Sequence, residues 1–456
     1  MSVTWSHTRA LDAYIRDCRA EFEEKLATLV EIPTVSMDPE RKPEIRKGAD
    51  TAVDLLREFG ATAASIPTKG NPVVVGKLTT DPRNPTLVIY NHLDVQPAEP
   101  AEWGRDPFVF GRDGDRYLGR GATDDKGPAL TALFAARFAA ENGIGLNYHF
   151  LWELEEEIGS PNFESFLKGY RKNIRARSIL VSDTIWIARG KPAIPYGLRG
   201  MQPAMLVLET GTRDAHSGLV GGAARNPVAE LAKLISECFD ARTGRVRIPG
   251  FYDDVARPTA KEIRNFLSSG FQVARFREAH GLKKLRTLDR KKLLQSIWTE
   301  PTFELHGITG GYSGPGVKTV VPPSAEAKVS MRLVPNQRPA RMFRLLKSFV
   351  HEKNPDVRVK LQAGIEPYLG NFTGPYPDAA RTAVKFGFDR TPAFVREGGS
   401  IGAVVTMRKL LGVPITFIGL SLPEHGYHAP NEYFDWGQAS GGMRTFARYF
   451  SEISGI

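Results

Sequence analysis

Two adjacent aspartates, Asp124 and Asp125, stand in R-G-A-T-D-D-K-G-P-A-L (120–130), just before a stretch that reads as a helix. Carboxylates at a helix start complement its exposed N–H groups and positive end, so capping alone would explain the pair. Four other polar clusters argue for more, because each follows a short apolar run. After T-L-V-I-Y (86–90), N-H-L-D delivers His92 and Asp94; after Y-H-F-L-W (148–152), E-L-E-E-E delivers Glu155, Glu156 and Glu157. Asp183 closes S-I-L-V-S (178–182), and S-L-P-E-H-G-Y-H-A-P-N-E delivers His425 and His428 after P-I-T-F-I-G-L (414–420). Imidazole mixed with carboxylate suits zinc and, less selectively, manganese or cobalt. Water between two such ions is acidified into a nucleophile near neutral pH. A further carboxylate beside it can act as general base. Singly, these residues read as a hydrogen-bonded pair, a solvated glutamate run, a cap and a loop histidine. Their recurrence at successive strand ends is what points to two-metal hydrolysis.

The elements that must hold them alternate between strand and helix. Leu11 to Val30 and Lys47 to Phe59 read as amphipathic helices, and V-V-V-G-K-L (73–78) adds a strand to the runs above. G-P-A-L-T-A-L-F-A-A-R-F-A-A (127–140) reads as a buried helix. This predicts an α/β fold whose mostly parallel sheet is sandwiched by helices. Ligands then bind beyond the carboxyl ends of the strands, which is where the polar clusters fall. From about Gly200 the texture changes: strands over 201–210 and 325–334 and helices over 226–239 and 340–351 predict an antiparallel sheet with helices on one face. After Pro375 the first texture returns, with helices over 378–386 and near 401–411 and strands over 392–396 and 414–420. The second unit is therefore an insertion. The predicted division is a catalytic domain of residues 1–198 and 372–456, with an inserted α+β domain of residues 199–371.

Composition narrows the function classes. The 456 residues are 41% hydrophobic and 25% charged, as in soluble globular proteins. No apolar run is long enough to span a bilayer, and the first residues lack the apolar core of a signal peptide, so a cytoplasmic location is expected. Cys18 and Cys238 are the only cysteines, which leaves no disulfide framework and no cysteine zinc cluster. The net charge is +10, concentrated in R-F-R-E-A-H-G-L-K-K-L-R-T-L-D-R-K-K (275–292). That stretch reads as an amphipathic helix pair with a solvated basic face. It lacks the stacking aromatics of a nucleic-acid module, so neither nucleic-acid nor membrane binding is expected.

Along nearly its whole length the sequence resembles the co-catalytic zinc peptidases and amidases, a family that includes carnosine dipeptidases, aminoacylase, carboxypeptidase G and succinyl-diaminopimelate desuccinylase. The dipeptidase branch is the nearest match. The resemblance is carried by N-H-L-D-V-Q-P-A (91–98), G-R-G-A-T-D-D-K-G-P (119–128), E-E-E-I-G-S (155–160), V-S-D (181–183) and Y-G-L-R-G (196–200). It continues through D-A-H-S-G-L-V-G-G (214–222), G-V-K-T-V-V-P (316–322), S-M-R-L-V-P-N-Q (330–337), R-E-G-G-S-I (396–401) and H-A-P-N-E (428–432).

The resemblance implies roles for individual residues. Asp124 would bridge two divalent ions, most often zinc, with His92 and Asp183 on one ion and Glu157 and His428 on the other. Asp94 would hydrogen-bond the second nitrogen of His92. Glu156 would be the general base, and Asp125 a structural residue joined to Asp124 by a cis peptide. His216 would stabilise the oxyanion, reaching a neighbouring subunit, so that the inserted domain acts as lid and dimerisation surface of a homodimer. Arg332 would grip the terminal carboxylate of a short peptide substrate, helped by Thr319, Gly399 and Ser400. The trailing A-P-N-E favours His428 over His425. Some carnosine dipeptidases carry a substrate histidine where this chain reads Y-L-G-N-F-T-G-P-Y (368–376), which argues against carnosine-like substrates. Three functions follow from this pattern: a dipeptidase, an amidase of N-acyl amino acids, or an inactive peptide-binding relative.

Overall fold

A computed structural model describes residues 5–456. Its main sheet has six strands. Thr86–His92 lies at the centre, parallel to Asn147–Glu153 on one side and to Ala176–Val181 on the other. Ile415–Phe417 adds in parallel beyond Ala176–Val181. Val73–Leu78 and Thr62–Ile66 complete the other side in antiparallel fashion. The central strands are continuous apolar runs because both faces are covered. One face packs on helices Thr8–Asp17, Arg19–Val30, Lys42–Glu58, Gly127–Glu141 and Trp436–Ile453. The other packs on Phe163–Tyr170 and Gly402–Leu411. Gly127–Glu141 carries Pro128 in its first turn and is buried along almost its whole length, as its Ala, Leu and Phe content requires. Because the four central strands run parallel, the segments after His92, Glu153, Val181 and Phe417 emerge at one edge.

The segment after Leu198 contains a four-stranded antiparallel sheet in the order Thr302–Thr309, Ser324–Leu333, Gly200–Glu209, Arg358–Leu361. Helices Pro227–Cys238 and Pro339–Lys353 cover one of its faces and enclose a separate apolar core. Helices Ala260–Ser268, Val273–Ala279 and Arg290–Trp298 belong to the same stretch of chain but pack elsewhere. Their Phe266, Leu293, Leu294 and Trp298 join the core of the main sheet.

Two local expectations change. The predicted helix over 11–30 is two helices that meet at Cys18. The strand predicted over 392–396, found as Ala393–Glu397, is not in the main sheet. It pairs in parallel with Ala193–Leu198 in a three-stranded sheet completed by Tyr368–Leu369. The basic stretch 275–292 forms most of one short helix, a loop and the start of another. Among the described residues, no helix is long and apolar enough to cross a membrane.

Candidate metal centre and substrate site

His92 ends the central strand and is buried. Its Nε2 lies 3.0 Å from Asp124 Oδ1 and 3.8 Å from Asp183 Oδ2. Its Nδ1 faces the Asp94 carbonyl oxygen at 3.0 Å, with the Asp94 carboxylate farther off at 3.5 Å. The Asp94 carboxylate instead accepts the backbone N–H groups of Glu156 and Glu157, each at 3.1 Å. Asp94 thereby ties the loop after Asn147–Glu153 to the loop after Thr86–His92.

Asp124 sits between two imidazoles, since its Oδ2 lies 3.0 Å from His428 Nε2. The same His428 nitrogen is 3.1 Å from Glu157 Oε2, which also accepts a hydrogen bond from Gln96 at 2.7 Å. The peptide between Asp124 and Asp125 is cis, and Asp125 Oδ2 accepts from Asn91 Nδ2 at 2.7 Å. Gly121 turns the chain into this segment with φ +86°, and a Cβ there would meet the Val95 side chain at 2.5 Å. Only glycine fits such a position without strain.

The cluster crowds carboxylates out of water. Burial pushes the proton affinities of Glu156, Glu157 and Asp183 up. Burial also pushes on Asp124, but hydrogen bonds from His428 and His92 outweigh it and hold that carboxyl well below the usual range. No lysine or arginine pairs with Asp124, Glu156, Glu157 or Asp183 among the described residues. The donor atoms fall into two groups, His92 with Glu156 and Asp183, and Asp124 with Glu157 and His428, each within 4.8 Å of one another. Buried carboxylates facing neutral-capable imidazoles, with no lysine or arginine among the described residues to balance them, fit two divalent cations.

The substrate residues named from sequence lie in two places. Arg332 Nη1 donates to Ser400 Oγ at 3.2 Å, and Ser400 Oγ donates to the Arg199 carbonyl at 2.6 Å, with Gly399 adjacent. His216 and Thr319 lie together on exposed parts of the inserted segment, where Ser217 N–H donates to the Thr319 carbonyl at 3.0 Å. His216 Nδ1 accepts the Gly218 N–H at 2.9 Å, and its ring makes no hydrogen bond to the metal-centre residues. His425 is buried elsewhere, its Nε2 3.1 Å from Asp435 Oδ2 and its Nδ1 2.9 Å from Thr123 Oγ1.

Sequence reasoning assigned no role to three residues that shape the site. Glu432 accepts from Arg120 Nη1 at 2.8 Å and from the N–H groups of Gly121, Thr123 and Asp124 at 2.9–3.1 Å, fixing the segment that carries Asp124. Tyr427 O–H donates to Asp183. Glu397 has a buried Oε2 without a donor, and burial and the nearby Asp183 push its carboxyl up to about 8. Glu432 was within reach as the last residue of H-A-P-N-E; Glu397 had no signal beyond its place in R-E-G-G-S.

A model of peptidase family M20/M25/M40 matches residues 88–452, the span that holds every residue of this centre. The chain belongs to that family. Peptidases of family M20 are dinuclear metal enzymes, and this chain is one of its metallopeptidases. It is 32% identical to the Cys-Gly metallodipeptidase dug1 of Schizosaccharomyces pombe, across 96% of each chain. It is 30% identical to the human beta-Ala-His dipeptidase, across 97% of this chain and 92% of the relative. The solved structure of the dipeptidase Dug1p from Saccharomyces cerevisiae superposes with a TM-score of 0.91 at 26% identity, covering 99% of this chain and all of that one.

Proposed function

We propose that the protein is a dipeptidase that hydrolyses the amide bond of dipeptides and short peptides with a free terminal carboxylate. The observation that carries this reading is Asp124, whose two oxygens face His92 of one three-residue donor group and His428 of the other, with Glu156 in the group of His92. Two divalent ions, zinc in the first place and manganese or cobalt as substitutes, would be held by His92 and Asp183, by Glu157 and His428, and by Asp124 between them; they supply an acidified water and polarise the scissile carbonyl. Glu156 takes the proton of the attacking water on its carboxylate and returns it to the leaving amine. The dry setting of its carboxyl supports this role, because it raises the proton affinity that a base needs. Asp94 positions His92 and the backbone of Glu156 and Glu157. Arg332, with Ser400 and Gly399, receives the substrate carboxylate.

His216 donates to the oxyanion, and Thr319 beside it assists the carboxylate pocket. Their exposure and their lack of contact with the metal centre within one chain support their supply by a second copy. The outer strand Thr302–Thr309 offers an unpaired edge with Leu305 and Ile308 exposed, which supports a homodimer built on the inserted segment. On this reading residues 199–371 act as lid and dimerisation domain for a catalytic domain of residues 1–198 and 372–456. Glu397 favours free dipeptides over N-acyl amino acids, because its buried Oε2, left without a donor, can accept from an α-ammonium group whose charge in turn favours the ionised carboxylate, and an N-acyl group brings no such charge. A panel of dipeptides and N-acyl amino acids, assayed with zinc or manganese and with a chelator, tests the reading. Metal-dependent hydrolysis of dipeptides is expected; turnover confined to the N-acyl compounds, or none at all, would overturn it.

A further inference from the structure

A cavity of about 630 Å³ opens beside the metal centre without including any of its metal-holding residues. Three of its walls are continuations of site loops: Ile185–Arg189 follows Asp183, Glu397–Gly399 precedes Ser400, and Pro423–Glu424 leads toward His428. Its fourth wall comes from the helices of the inserted stretch that pack on the main core, through Phe271, Phe276, Ala279, Ile297 and Trp298. That wall is fastened. Glu262, in helix Ala260–Ser268, accepts from Tyr196 O–H at 2.7 Å and from Arg396 Nε at 3.2 Å. Arg396 is the residue immediately before Glu397, so the helices are tied to the strand that presents the site.

The lining is apolar, and several of its charged groups are engaged. Arg189 donates to Glu424 and to Asp435, each at 2.9 Å. Arg396 is held by Glu262, and Arg199 Nε donates to the Gly398 carbonyl at 3.2 Å. Arg275 and Glu278 are exposed at the rim. Inside, Ile187, Phe271, Phe276, Ile297 and Trp298 face a space in the size range of small-molecule sites. Glu397, whose Oε2 has no donor, lines this space and lies near enough to Asp183 to feel its charge.

We infer that this cavity receives the side chain of the substrate's amino-terminal residue and selects a large apolar one, aromatic or branched aliphatic. The inference rests on the dipeptidase reading and deepens it. With the terminal carboxylate at Arg332 and Ser400 and the α-ammonium at Glu397, the first residue's side chain has the apolar space past Ile185 and Ile187 to fill. Burying it there removes apolar surface from water without displacing an ion pair.

The test compares kcat/KM for Gly-Gly, Ala-Gly, Leu-Gly and Phe-Gly, with Gly-Leu and Gly-Phe as the reversed pairs. Leu-Gly and Phe-Gly are expected to exceed Ala-Gly by about tenfold or more. In Ala279→Trp, which fills the cavity from an exposed helix position, the Phe-Gly to Ala-Gly ratio should fall by about tenfold. Phe276→Ala should lower the Leu-Gly to Ala-Gly ratio in the same sense. Ratios within one preparation are unaffected by the fraction of folded enzyme. Equal rates for Ala-Gly and Phe-Gly, a gain seen only with Gly-Leu and Gly-Phe, or ratios unmoved in Ala279→Trp would each overturn the pocket while leaving the dipeptidase reading in place. Failure to hydrolyse any of the six would overturn both.

Discussion

The metal centre and the His216 loop are built by opposite means. Around Asp124 the backbone is held by buried side chains from distant parts of the chain. Glu432 fixes the backbone before it, Asp94 fixes the backbone of Glu156 and Glu157, and Asn91 fixes Asp125. Around His216 the ring has one local hydrogen bond, to the Gly218 N–H, and the strand that carries it is two residues long. A site that concentrates unlike charges in a dry interior needs such anchoring, because an unsatisfied buried carboxylate is costly. A residue that completes the site from outside needs reach instead. On the proposed reading, the contrast means that this chain would supply its metal donors alone and its oxyanion donor through assembly.

The strongest way to break that comparison is to remove the centre's shared residue. Asp124→Ala should lose both bound ions by metal analysis and bring peptide hydrolysis down to background; a variant that keeps two ions and turnover contradicts the bridging role. Glu156→Ala is next. It should retain metal yet lose about two to four orders of magnitude in kcat, measured on the same substrate. His216→Ala should lose about two to three orders in kcat with metal content unchanged. Mixing it with the Glu156→Ala protein sharpens the comparison, since a mixed dimer then holds one complete site, with Glu156 from one chain and His216 from the other. Recovered activity is expected, and its absence under conditions where subunits exchange contradicts supply across an interface.

The smallest effect concerns the strand that leads into the centre. His149 is buried beneath the helix Phe163–Tyr170, and burial, with Lys77 nearby, pushes its proton affinity down to about 3. It stays neutral in the fold while the unfolded chain takes up a proton below about pH 6.5. Its contribution is therefore complete above pH 6.5 and is lost as the pH falls toward 3, at about 1.4 kcal/mol per pH unit. Denaturant unfolding at pH 7 and pH 5 should show His149→Phe losing about 2 kcal/mol less than the parent chain over that interval. An unchanged pH dependence would assign the acid sensitivity to the carboxylate centre instead.

That the candidate donors would cluster was legible because their signal is local. His92, Asp183 and His428 each follow an apolar run, and parallel pairing of those runs brings their ends to one edge whatever the remaining topology. The buried helix Gly127–Glu141 was equally plain from its Ala and Leu content. What escaped depended on distant partners. Glu432 acts on Gly121 and Thr123, some three hundred residues earlier, and its place in H-A-P-N-E marks the residue without naming those partners. Ala393–Glu397 reads as a sheet strand, but its partner Ala193–Leu198 gave no pattern that would have drawn it into a separate sheet. The helices between residues 260 and 298 show amphipathic spacing, which specifies that a face is buried and is silent on which of two cores buries it. The break at Cys18 had no Pro or Gly to mark it.

The central claim is that two ions, held by the donors around Asp124, are needed for turnover. It is tested most directly by stripping the protein with chelator and restoring zinc stepwise while following both bound metal and dipeptide hydrolysis. Activity should be absent in the stripped protein and reach its plateau at two equivalents of bound zinc per chain. Full activity at one equivalent, or in the metal-free protein, would contradict the account.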